Sequence, residues 1–377
     1  MSTMPNSRRL KVLWLTNIAT PYRIPLWRWL SGEVDLTMAL LSNTEQNRWW
    51  NFTAEDIGIR AEFLEAPALR YGEKSIYLPS LRLRRLLNQD FDAVILGGWE
   101  SPAYAYALFK ARRRGIKTIG HYGSTMKSHG HSAGILAKIR SWYYRSLDWH
   151  VSYGTAATET LINMGVAKER IETGFNSVDH GYFFDSTKQL RENGDSALGH
   201  KFIYVGQLLE RKNLDELLKA FAEIRHEADS LRIVGSGPIE ASLKAQATKL
   251  GLGDSVVFTG PKTGDALLQE YADANTLVLP SSNEVWGLVI NEALASGLHV
   301  VVSDQCGASD DVAKMVGVFI SDCTASGISK ELDASRTSWT GPIAQPEIAS
   351  ITPAVYGGSF LRALAMAAEL GDTANGQ

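Results

Sequence analysis

Short apolar runs alternate with helical segments along the whole chain, and this alternation constrains the fold more than any other feature. Residues 11–16 and 92–96 are apolar runs that end in polar or glycine-containing loops, and a segment of helical composition follows each. Such runs are typical of parallel strands that helices cover on both faces. The pattern begins again at residues 202–205 and 231–234. The sequence therefore predicts an α/β protein with two Rossmann-like, doubly wound domains that face a central cleft.

A length of 377 residues also favours two domains, because a single core seldom grows beyond ~250–300 residues. Residues 187–199 are polar and contain two glycines, a composition typical of a linker. We therefore expect an N-terminal domain at residues 1–185 and a C-terminal domain at residues 200–355. A last helix and a tail are expected at residues 356–377.

Composition places the chain among soluble globular proteins, with 45% hydrophobic and 21% charged residues. The two cysteines, Cys306 and Cys323, have neither the number nor the spacing of a disulfide framework or a metal site. No apolar run approaches the ~20 residues that a membrane span needs. The first apolar run is short and is soon interrupted by Asn17 and Pro21, unlike a signal peptide. We therefore expect a cytoplasmic protein.

Charge is distributed unevenly around the net value of −3. Residues 1–185 contain 23 Lys and Arg against 17 Asp and Glu, a net charge of +6, which leaves −9 for the remainder. A basic N-terminal half suggests an anionic partner, such as the inner face of a membrane or a phosphorylated acceptor, and no nucleic-acid partner is expected. Solvated helix faces would produce the same excess, so both interpretations stay open.

Three strands of the second half end in short polar or glycine-containing loops: Gly206-Gln207, Gly235-Ser236-Gly237 and Ser281-Ser282-Asn283. Such loops bring backbone N–H groups and helix N-termini to one edge of a sheet, which favours anions. Glycine allows the tight turn and the close approach of a ligand. Arg211 and Lys212 stand near the start of the next helix and could be a merely exposed basic pair. Because three loops converge there, we favour a diphosphate site.

Two glutamates follow in the stretch between the apolar runs at residues 277–279 and 300–302. Glu284 lies before a helix and Glu292 lies within it, and carboxylate oxygens suit the paired hydroxyls of a ribose or a hexose. Glu284 could instead be an ordinary helix-start residue. A solvated role fits Glu292 poorly, since apolar residues flank it and a buried carboxylate needs partners.

The order and spacing of these motifs resemble those of the family-4 retaining glycosyltransferases of GT-B fold. The motifs that carry the resemblance in the second half are Val205-Gly206-Gln207-Leu208, Arg211-Lys212-Asn213, Val234-Gly235-Ser236-Gly237-Pro238 and Pro280-Ser281-Ser282, with Glu284 and Glu292 in E-x7-E spacing. Those in the first half are Pro21-Tyr22-Arg23, His121-Tyr122-Gly123-Ser124 and Asn176-Ser177-Val178-Asp179. The resemblance covers roughly the whole chain and is weakest after Ile320.

The resemblance implies a function and a role for each matching residue. The family transfers a sugar from a nucleotide-sugar donor, bound by the C-terminal domain as a co-substrate, to a glycan or lipid-linked acceptor, bound by the N-terminal domain. Catalytic roles would fall to Lys212 at the diphosphate, to Glu284 facing the sugar and diphosphate, and to His121 beside the donor sugar. Donor-binding residues would be Gly206, Gln207, Arg211, Lys212, Gly235, Gly237, Glu284, Gly287, Leu288 and Glu292, the last holding the ribose. A single histidine is also often an ordinary core residue.

The sequence departs from the family at three places. Gln207 stands where arginine usually follows the first glycine, and Arg211 could supply that charge. Ala19-Thr20-Pro21 replaces a glycine pair after the first strand, and residues 307–311 match their motif in part. The first departure concerns the donor-binding domain, and the second concerns the acceptor-binding domain.

The expected chemistry needs no metal and no further cofactor. Lys212, Arg211 and helix N-termini can stabilise the leaving group, and no Asp-x-Asp motif ends a strand. Retention without a clear carboxylate nucleophile favours front-face attack, with a covalent route left open. Alternatives on the same fold are an epimerase, a phosphorylase and a silent nucleotide-sugar-binding protein. A dinucleotide-dependent dehydrogenase is disfavoured because no G-x-G-x-x-G follows the first strand.

Overall fold

The structure, a computed structural model, describes residues 8–45, 51–71, 74–128, 133–192 and 199–374. Two parallel sheets, each flanked by helices, organise these residues. Among the described helices, none has the combination of length and apolar character that crossing a membrane requires.

The first half contains a seven-stranded sheet in the order β3-β2-β1-β6-β7-β8-β9, in which every pairing is parallel. The strands of this sheet are β1 (Lys11–Thr16), β2 (Asp35–Leu40), β3 (Ala61–Phe63), β6 (Ala93–Leu96), β7 (Lys117–Tyr122), β8 (Trp149–Ser152) and β9 (Ile171–Thr173). The strands β4 (Ala68–Tyr71) and β5 (Lys74–Tyr77) form a separate antiparallel hairpin. The strands β6 and β8 are buried along their whole length, as expected for strands that helices cover on both faces.

The helices of this half are α1 (Ile24–Glu33), α2 (Ala54–Ile57), α3 (Leu81–Leu86), α4 (Pro102–Arg113), α5 (Ile135–Arg145), α6 (Thr155–Asn163) and α7 (His180–Glu192). The last of them corrects the predicted linker at residues 187–199, because the chain is helical as far as Glu192. This helix packs against helices of the second half, so residues 187–192 are part of a packed helix rather than a linker. Residues 193–198 lie outside the described part of the chain. The predicted domain limits therefore stay predictions.

The second half contains a six-stranded parallel sheet in the order β12-β11-β10-β13-β14-β15. Its strands are β10 (Lys201–Val205), β11 (Ser230–Val234), β12 (Val256–Gly260), β13 (Thr276–Leu279), β14 (His299–Ser303) and β15 (Val318–Ser321). Its helices are α8 (Leu214–Ile224), α9 (Glu240–Lys249), α10 (Asp265–Asp273), α11 (Leu288–Ala295), α12 (Ser309–Val312) and α13 (Ala325–Ser338). The two doubly wound units predicted from the sequence are confirmed.

Helix α8 illustrates how the apolar spacing builds this core. Leu214, Leu217, Leu218 and Phe221 recur at helical spacing and are all fully buried. Burying each such side chain stabilises the fold by ~1.5–3 kcal/mol relative to exposure. The helix therefore lies on the sheet with its polar face outward, as its sequence predicts.

The C-terminal helix α14 (Pro353–Ala374) returns to the first half and packs against α1, β7, β8 and β9. Its residues Tyr356 and Phe360 are buried in the same cluster as Trp14 and Trp27. The tilted rings of Trp14 and Phe360 lie 4.6 Å apart between centroids. The last helix thus closes the core of the first half rather than extending that of the second.

The carboxyl edges of the two sheets face each other. Thr155, at the start of α6, donates from its backbone nitrogen and from Oγ1 to Asp311 Oδ1 at 3.1 and 2.7 Å. The Nζ of Lys127 donates to the carbonyl oxygen of Asp304 at 2.7 Å. Loops after β7 and β8 therefore meet the segment that follows β14, and the space they border is the predicted central cleft.

Candidate functional site

The candidate site lies where the strand order of the second sheet reverses, between β10 and β13. Lys212 follows β10 in a short 3₁₀ turn at Glu210–Lys212, and Glu284 follows β13. The backbone nitrogen of Ser282 donates to the carbonyl oxygen of Arg211 at 2.9 Å, which joins the two loops. Ligands of open α/β sheets bind in the crevice at such a reversal.

An ion pair between Lys212 and Glu284 occupies this crevice. The Nζ of Lys212 donates to Glu284 Oε2, and only 10% of the lysine side chain and 15% of the glutamate side chain are exposed. Arg211 lies on the solvent side, with Nη1 at 3.6 Å from the same oxygen and 3.1 Å from the carbonyl oxygen of Asn283. Charges so little hydrated interact more strongly than surface pairs. The loop pair therefore presents two cations around one carboxylate.

Asn213, to which the sequence assigned no role, holds Lys212 in place. Its backbone is left-handed, with φ of +58°, which asparagine tolerates better than most residues. Its Nδ2 donates to the carbonyl oxygens of Cys323 at 2.7 Å and Pro280 at 3.2 Å. Helix α8 begins only after it, so Lys212 precedes the helix instead of occupying its first turn.

The glycines of the site loops are required by the packing of one loop on another. A Cβ on Gly235, whose φ is +144°, would lie 1.8 Å from the carbonyl oxygen of Gly206. A Cβ on Gly237 would lie 2.2 Å from the carbonyl oxygen of Leu208. No real side chain tolerates such distances, so these positions need glycine even without a ligand. Their predicted contact with a donor stays a prediction.

Gln207 is an exposed residue of the loop between Gly206 and Leu208. Its carbonyl oxygen accepts a hydrogen bond of 2.8 Å from the hydroxyl of Tyr204, a buried side chain of β10. A side chain of the preceding strand therefore holds the backbone of this loop in place. The place of the arginine usual in the family is solvent-facing here.

Helix α11 begins beside Glu284 and adds its N-terminus to the site. Gly287 is its N-cap, with φ of +90°, and among the described side chains none caps the helix. The first helical residue, Leu288, is partly accessible. The positive end of the helix dipole at this point favours a negatively charged group.

Glu292 lies within α11 and is held by Tyr271 of α10. The hydroxyl of Tyr271 donates to Glu292 Oε2 at 2.7 Å. Burial raises the pKa of Glu292 to about 7, although the hydrogen bond from Tyr271 acts in the opposite direction. Tyr271 itself is fully buried. The sequence offered no signal for this partner, since an apolar aromatic at helical spacing is ordinarily core.

His121 lies in the first half, at the end of β7, and is only 7% exposed. Its Nε2 is 2.9 Å from the hydroxyl of Tyr356 on α14, and its ring contacts Trp14, Tyr153 and Phe360. Burial, with a smaller effect from nearby Arg23, holds the pKa of His121 well below its usual value, so the imidazole is neutral. These contacts are those of a core histidine, and the predicted place of His121 beside the donor sugar stays a prediction.

Arg23, quoted above only as part of a motif, is the least expected side chain at the cleft. It is 5% exposed, and neither Nη1 nor Nη2 has a hydrogen-bond partner among the described residues. Its guanidinium lies 4.7 Å from the centroid of the Tyr153 ring. Tyr153 is next to Gly154, where a Cβ would lie 2.4 Å from Trp286 of the second half. The arginine therefore stands close to the junction of the two halves.

Asp311 fixes that junction from the other side. It accepts the bonds from Thr155 described above and so caps the N-terminus of α6. Burial raises the pKa of Asp311 above its usual value, although the bonds from Thr155 lower it. Among the described residues, no three His, Cys, Asp or Glu side chains cluster as metal ligands would.

Comparison with known proteins relates the second half of the chain to a family of enzymes. Residues 185–335 match the model of the family described as glycosyl transferases group 1. A GDP-mannose-dependent alpha-mannosyltransferase of Mycobacterium tuberculosis is 31% identical over 248 residues, which is 62% of this chain and 61% of that protein. An alpha-monoglucosyldiacylglycerol synthase of Streptococcus pneumoniae is 33% identical over 120 residues, 31% of this chain and 27% of that protein. The matches thus span less than two thirds of either relative.

Solved structures give the fold of the whole chain. The structure resembles Anabaena HepE, solved in complex with UDP and glucose, with a TM-score of 0.64 and 15% identity over 98% of this chain and 100% of that chain. At this identity the likeness shows the fold alone. The two facing Rossmann-like units therefore form a GT-B architecture, as the motifs implied.

Proposed function

We propose that the chain is a member of the group 1, family-4-type glycosyltransferases and that it acts as a retaining, metal-independent hexosyltransferase. It would move a sugar from a nucleotide-sugar donor to a glycan or lipid-linked acceptor, in the synthesis of a cell-surface polysaccharide or glycolipid. The observation that carries this proposal is the Lys212–Glu284 pair at the β10/β13 reversal, beside the N-terminus of α11. These three features put a cation, an acceptor of hydrogen bonds and a helix dipole around one space.

The charges of the site suit the departure of a nucleoside diphosphate. When the bond between the sugar C1 and the diphosphate oxygen breaks, the electron pair stays on the diphosphate. Lys212, Arg211 and the N-terminus of α11 stabilise that charge, in a crevice where water is scarce. The donor diphosphate competes with Glu284 for Lys212, and the released carboxylate then accepts hydrogen bonds from the sugar hydroxyls.

The remaining site residues have binding roles in this proposal. Glu292 accepts hydrogen bonds from the ribose hydroxyls, and Tyr271 fixes its carboxyl group for that purpose. His121 lies beside the donor sugar in this proposal, with a neutral ring that is hydrogen-bonded to the hydroxyl of Tyr356. The acceptor hydroxyl loses its proton as it attacks C1, and in front-face attack the departing diphosphate takes that proton. A covalent route remains the alternative mechanism.

The acceptor side is proposed from charge and from the relatives. One relative is named for GDP-mannose and the other for the synthesis of a monoglucosyldiacylglycerol, so a nucleotide sugar and a glucosylated lipid are named among proteins similar to this chain. Residues 1–185 carry a net charge of +6, which would attract the anionic inner face of a membrane. We therefore place the protein in the cytoplasm, with a peripheral attachment to that membrane.

Two alternatives share the fold, a nucleotide-sugar epimerase and a silent nucleotide-sugar-binding protein. Neither is favoured by a particular observation in the described residues. Gln207 suggested the silent protein, because it stands where the family usually has an arginine. In this proposal Lys212 and Arg211 supply the positive charge of the site instead.

A panel of nucleotide sugars tests the proposal, with thermal unfolding as the readout. Ligands that bind only the native state raise the melting temperature. We expect one sugar nucleotide to stabilise the protein more than the others, and its nucleoside diphosphate to be released when acceptor lipids or glycans are added. Stabilisation without any release would favour the silent protein, and conversion of the free donor sugar without acceptor would favour the epimerase.

A further inference from the structure

The segment between Glu100 and Asp148 is unusual in both charge and exposure. Residues 101–147 contain nine Lys and Arg and no Asp or Glu. This segment includes α4 and α5, which flank the first sheet. A run of this length with one sign of charge creates a local positive potential on whatever surface it forms.

Helix α5 turns apolar side chains toward solvent. Ile135 is 75% exposed, Ile139 47% and Trp142 58%, and these three recur at the helical spacing of four and three residues. Leu136, beside them, is 44% exposed. Single exposed apolar residues are ordinary, but a contiguous apolar stripe on one helix marks an interaction surface.

Helix α4 adds an exposed aromatic side chain and two arginines beside this stripe. Phe109, 55% exposed, lies across an open cavity of about 370 Å³ from Trp142, with Leu108 and the arginines Arg112 and Arg113 also lining it. The guanidinium of Arg113 stands over the Phe109 ring at 5.7 Å. Lys138 and Arg145 of α5 are exposed as well. Exposed cations and exposed apolar side chains thus share these two helices.

The combination of exposed apolar side chains and cations on α4 and α5 indicates the kind of partner that this surface binds. An apolar surface alone could receive another protein, whereas apolar and aromatic side chains beside several cations suit the interface of a membrane with anionic lipids. We propose that the outer face of α4 and α5 is the membrane-docking surface of this protein, with Ile135, Ile139, Trp142 and Phe109 entering the headgroup region. The inference rests on the proposed function, since a lipid-linked acceptor must be reached at a membrane.

A contact between the two halves precedes α5 in sequence. Lys127 donates to the carbonyl oxygen of Asp304 in the second half. An acceptor whose lipid tail stays in the bilayer can then present its head to the first half while the donor lies on the second.

Co-sedimentation with vesicles tests the proposal, using phosphatidylglycerol mixed with phosphatidylcholine, and phosphatidylcholine alone. The full chain is expected to sediment with the anionic vesicles and much less with neutral ones. The double variant Ile139→Ser, Trp142→Ser should lose about 10-fold or more in vesicle affinity, because each apolar side chain loses its burial. The pair Arg112→Gln, Lys138→Gln should weaken binding to anionic vesicles at low salt only.

The matched control is Val316→Ser, which removes an apolar side chain that is 62% exposed on the second half. Its vesicle binding should equal that of the wild type. Equal vesicle binding by the wild type and the Ile139→Ser, Trp142→Ser variant would overturn the proposal. So would a wild-type dimer in light scattering that this variant dissociates, since the face would then join two copies of the chain.

The nucleotide-sugar thermal shift separates this inference from the proposed function. Both surface variants should retain the wild-type shift, because neither changes a residue of the donor site. Lost vesicle binding with a retained shift supports the docking surface. An absent shift in the wild type contradicts the proposed function, while the vesicle result still decides the surface.

Discussion

Lys212 and Glu284 form an ion pair across two loops that are 72 residues apart in sequence, at the point where the second sheet reverses its strand order. Both side chains are mostly buried, and Arg211 faces the same carboxylate from the solvent side. An ion pair in this position should contribute both to the stability of the fold and to sugar transfer, and suitable variants separate the two contributions.

Replacing Lys212 by methionine tests both consequences. The single variant leaves Glu284 with little solvent and one distant cation, so we expect a loss of ~3–5 kcal/mol in the free energy of unfolding. We also expect kcat/KM for sugar transfer to fall by about 10²–10³. The measurements are urea unfolding and nucleoside diphosphate release.

The double variant Lys212→Met, Glu284→Gln is the control for folding. It removes both charges, so most of the lost stability should return while activity stays low. Recovery of activity together with stability would show that the pair has only a structural role.

The carboxyl group of Glu292 should make stability depend on pH. Its pKa is about 7 in the folded protein against an ordinary value of 4.5. For an acid whose pKa is raised, the folded state is favoured below the unfolded value, and this advantage is lost as the pH rises through about 7. Glu292→Gln keeps an acceptor for Tyr271, so its stability relative to wild type should increase from acidic to alkaline pH. A difference that is constant with pH would contradict this.

The same carboxyl group should distinguish ribose from deoxyribose. Removing a hydroxyl partner of a carboxylate weakens binding by about tenfold. Wild type should therefore bind a nucleoside diphosphate better than its 2′-deoxy analogue, and Glu292→Gln should reduce that preference. Calorimetric titration of both ligands into both proteins gives the coupling energy between the Glu292 side chain and the 2′-hydroxyl of the ligand. Additive effects of the variant and the deoxy ligand would place Glu292 away from the ribose.

Gly235 should be intolerant of alanine even without ligand. Its Cβ would overlap the carbonyl oxygen of Gly206 at 1.8 Å, so Gly235→Ala should cost more than the ~1 kcal/mol of a left-handed backbone alone. Gly260→Ala is the matched control, since Gly260 has φ of +73° with open space around it. Equal losses in urea unfolding would show that the two loops can move apart easily.

His121 should stay neutral across the working pH range. Burial and the charge of Arg23 keep its pKa well below its usual value, so its ring signals in a ¹⁵N-histidine spectrum should not titrate near pH 6.5. The signals are assigned by their absence in His121→Phe. A His121 signal that titrates near that value would place the side chain in water and free it for proton transfer.

The sequence predicted the parts of this protein that depend on local pattern. Alternating apolar runs gave both sheets, and the loops after β10 and β13 gave Lys212 and Glu284, because carboxyl ends of parallel strands share one edge. It did not predict Tyr271, Arg23 or the return of α14 to the first half, since packing partners distant in sequence leave no local signature. Residues 187–192 were predicted as part of the linker, although they are helical, because the polar end of α7 has the composition of a loop.

The most direct measurement is the release of nucleoside diphosphate from the stabilising nucleotide sugar in the presence of an acceptor, compared between wild type and Glu284→Gln. The glutamine keeps the size of the side chain and one acceptor oxygen but removes the charge that faces Lys212 and the sugar. We expect the donor-induced thermal shift to persist and turnover to fall by about 10² or more. Unchanged turnover in Glu284→Gln would contradict the assignment of this crevice as the active site.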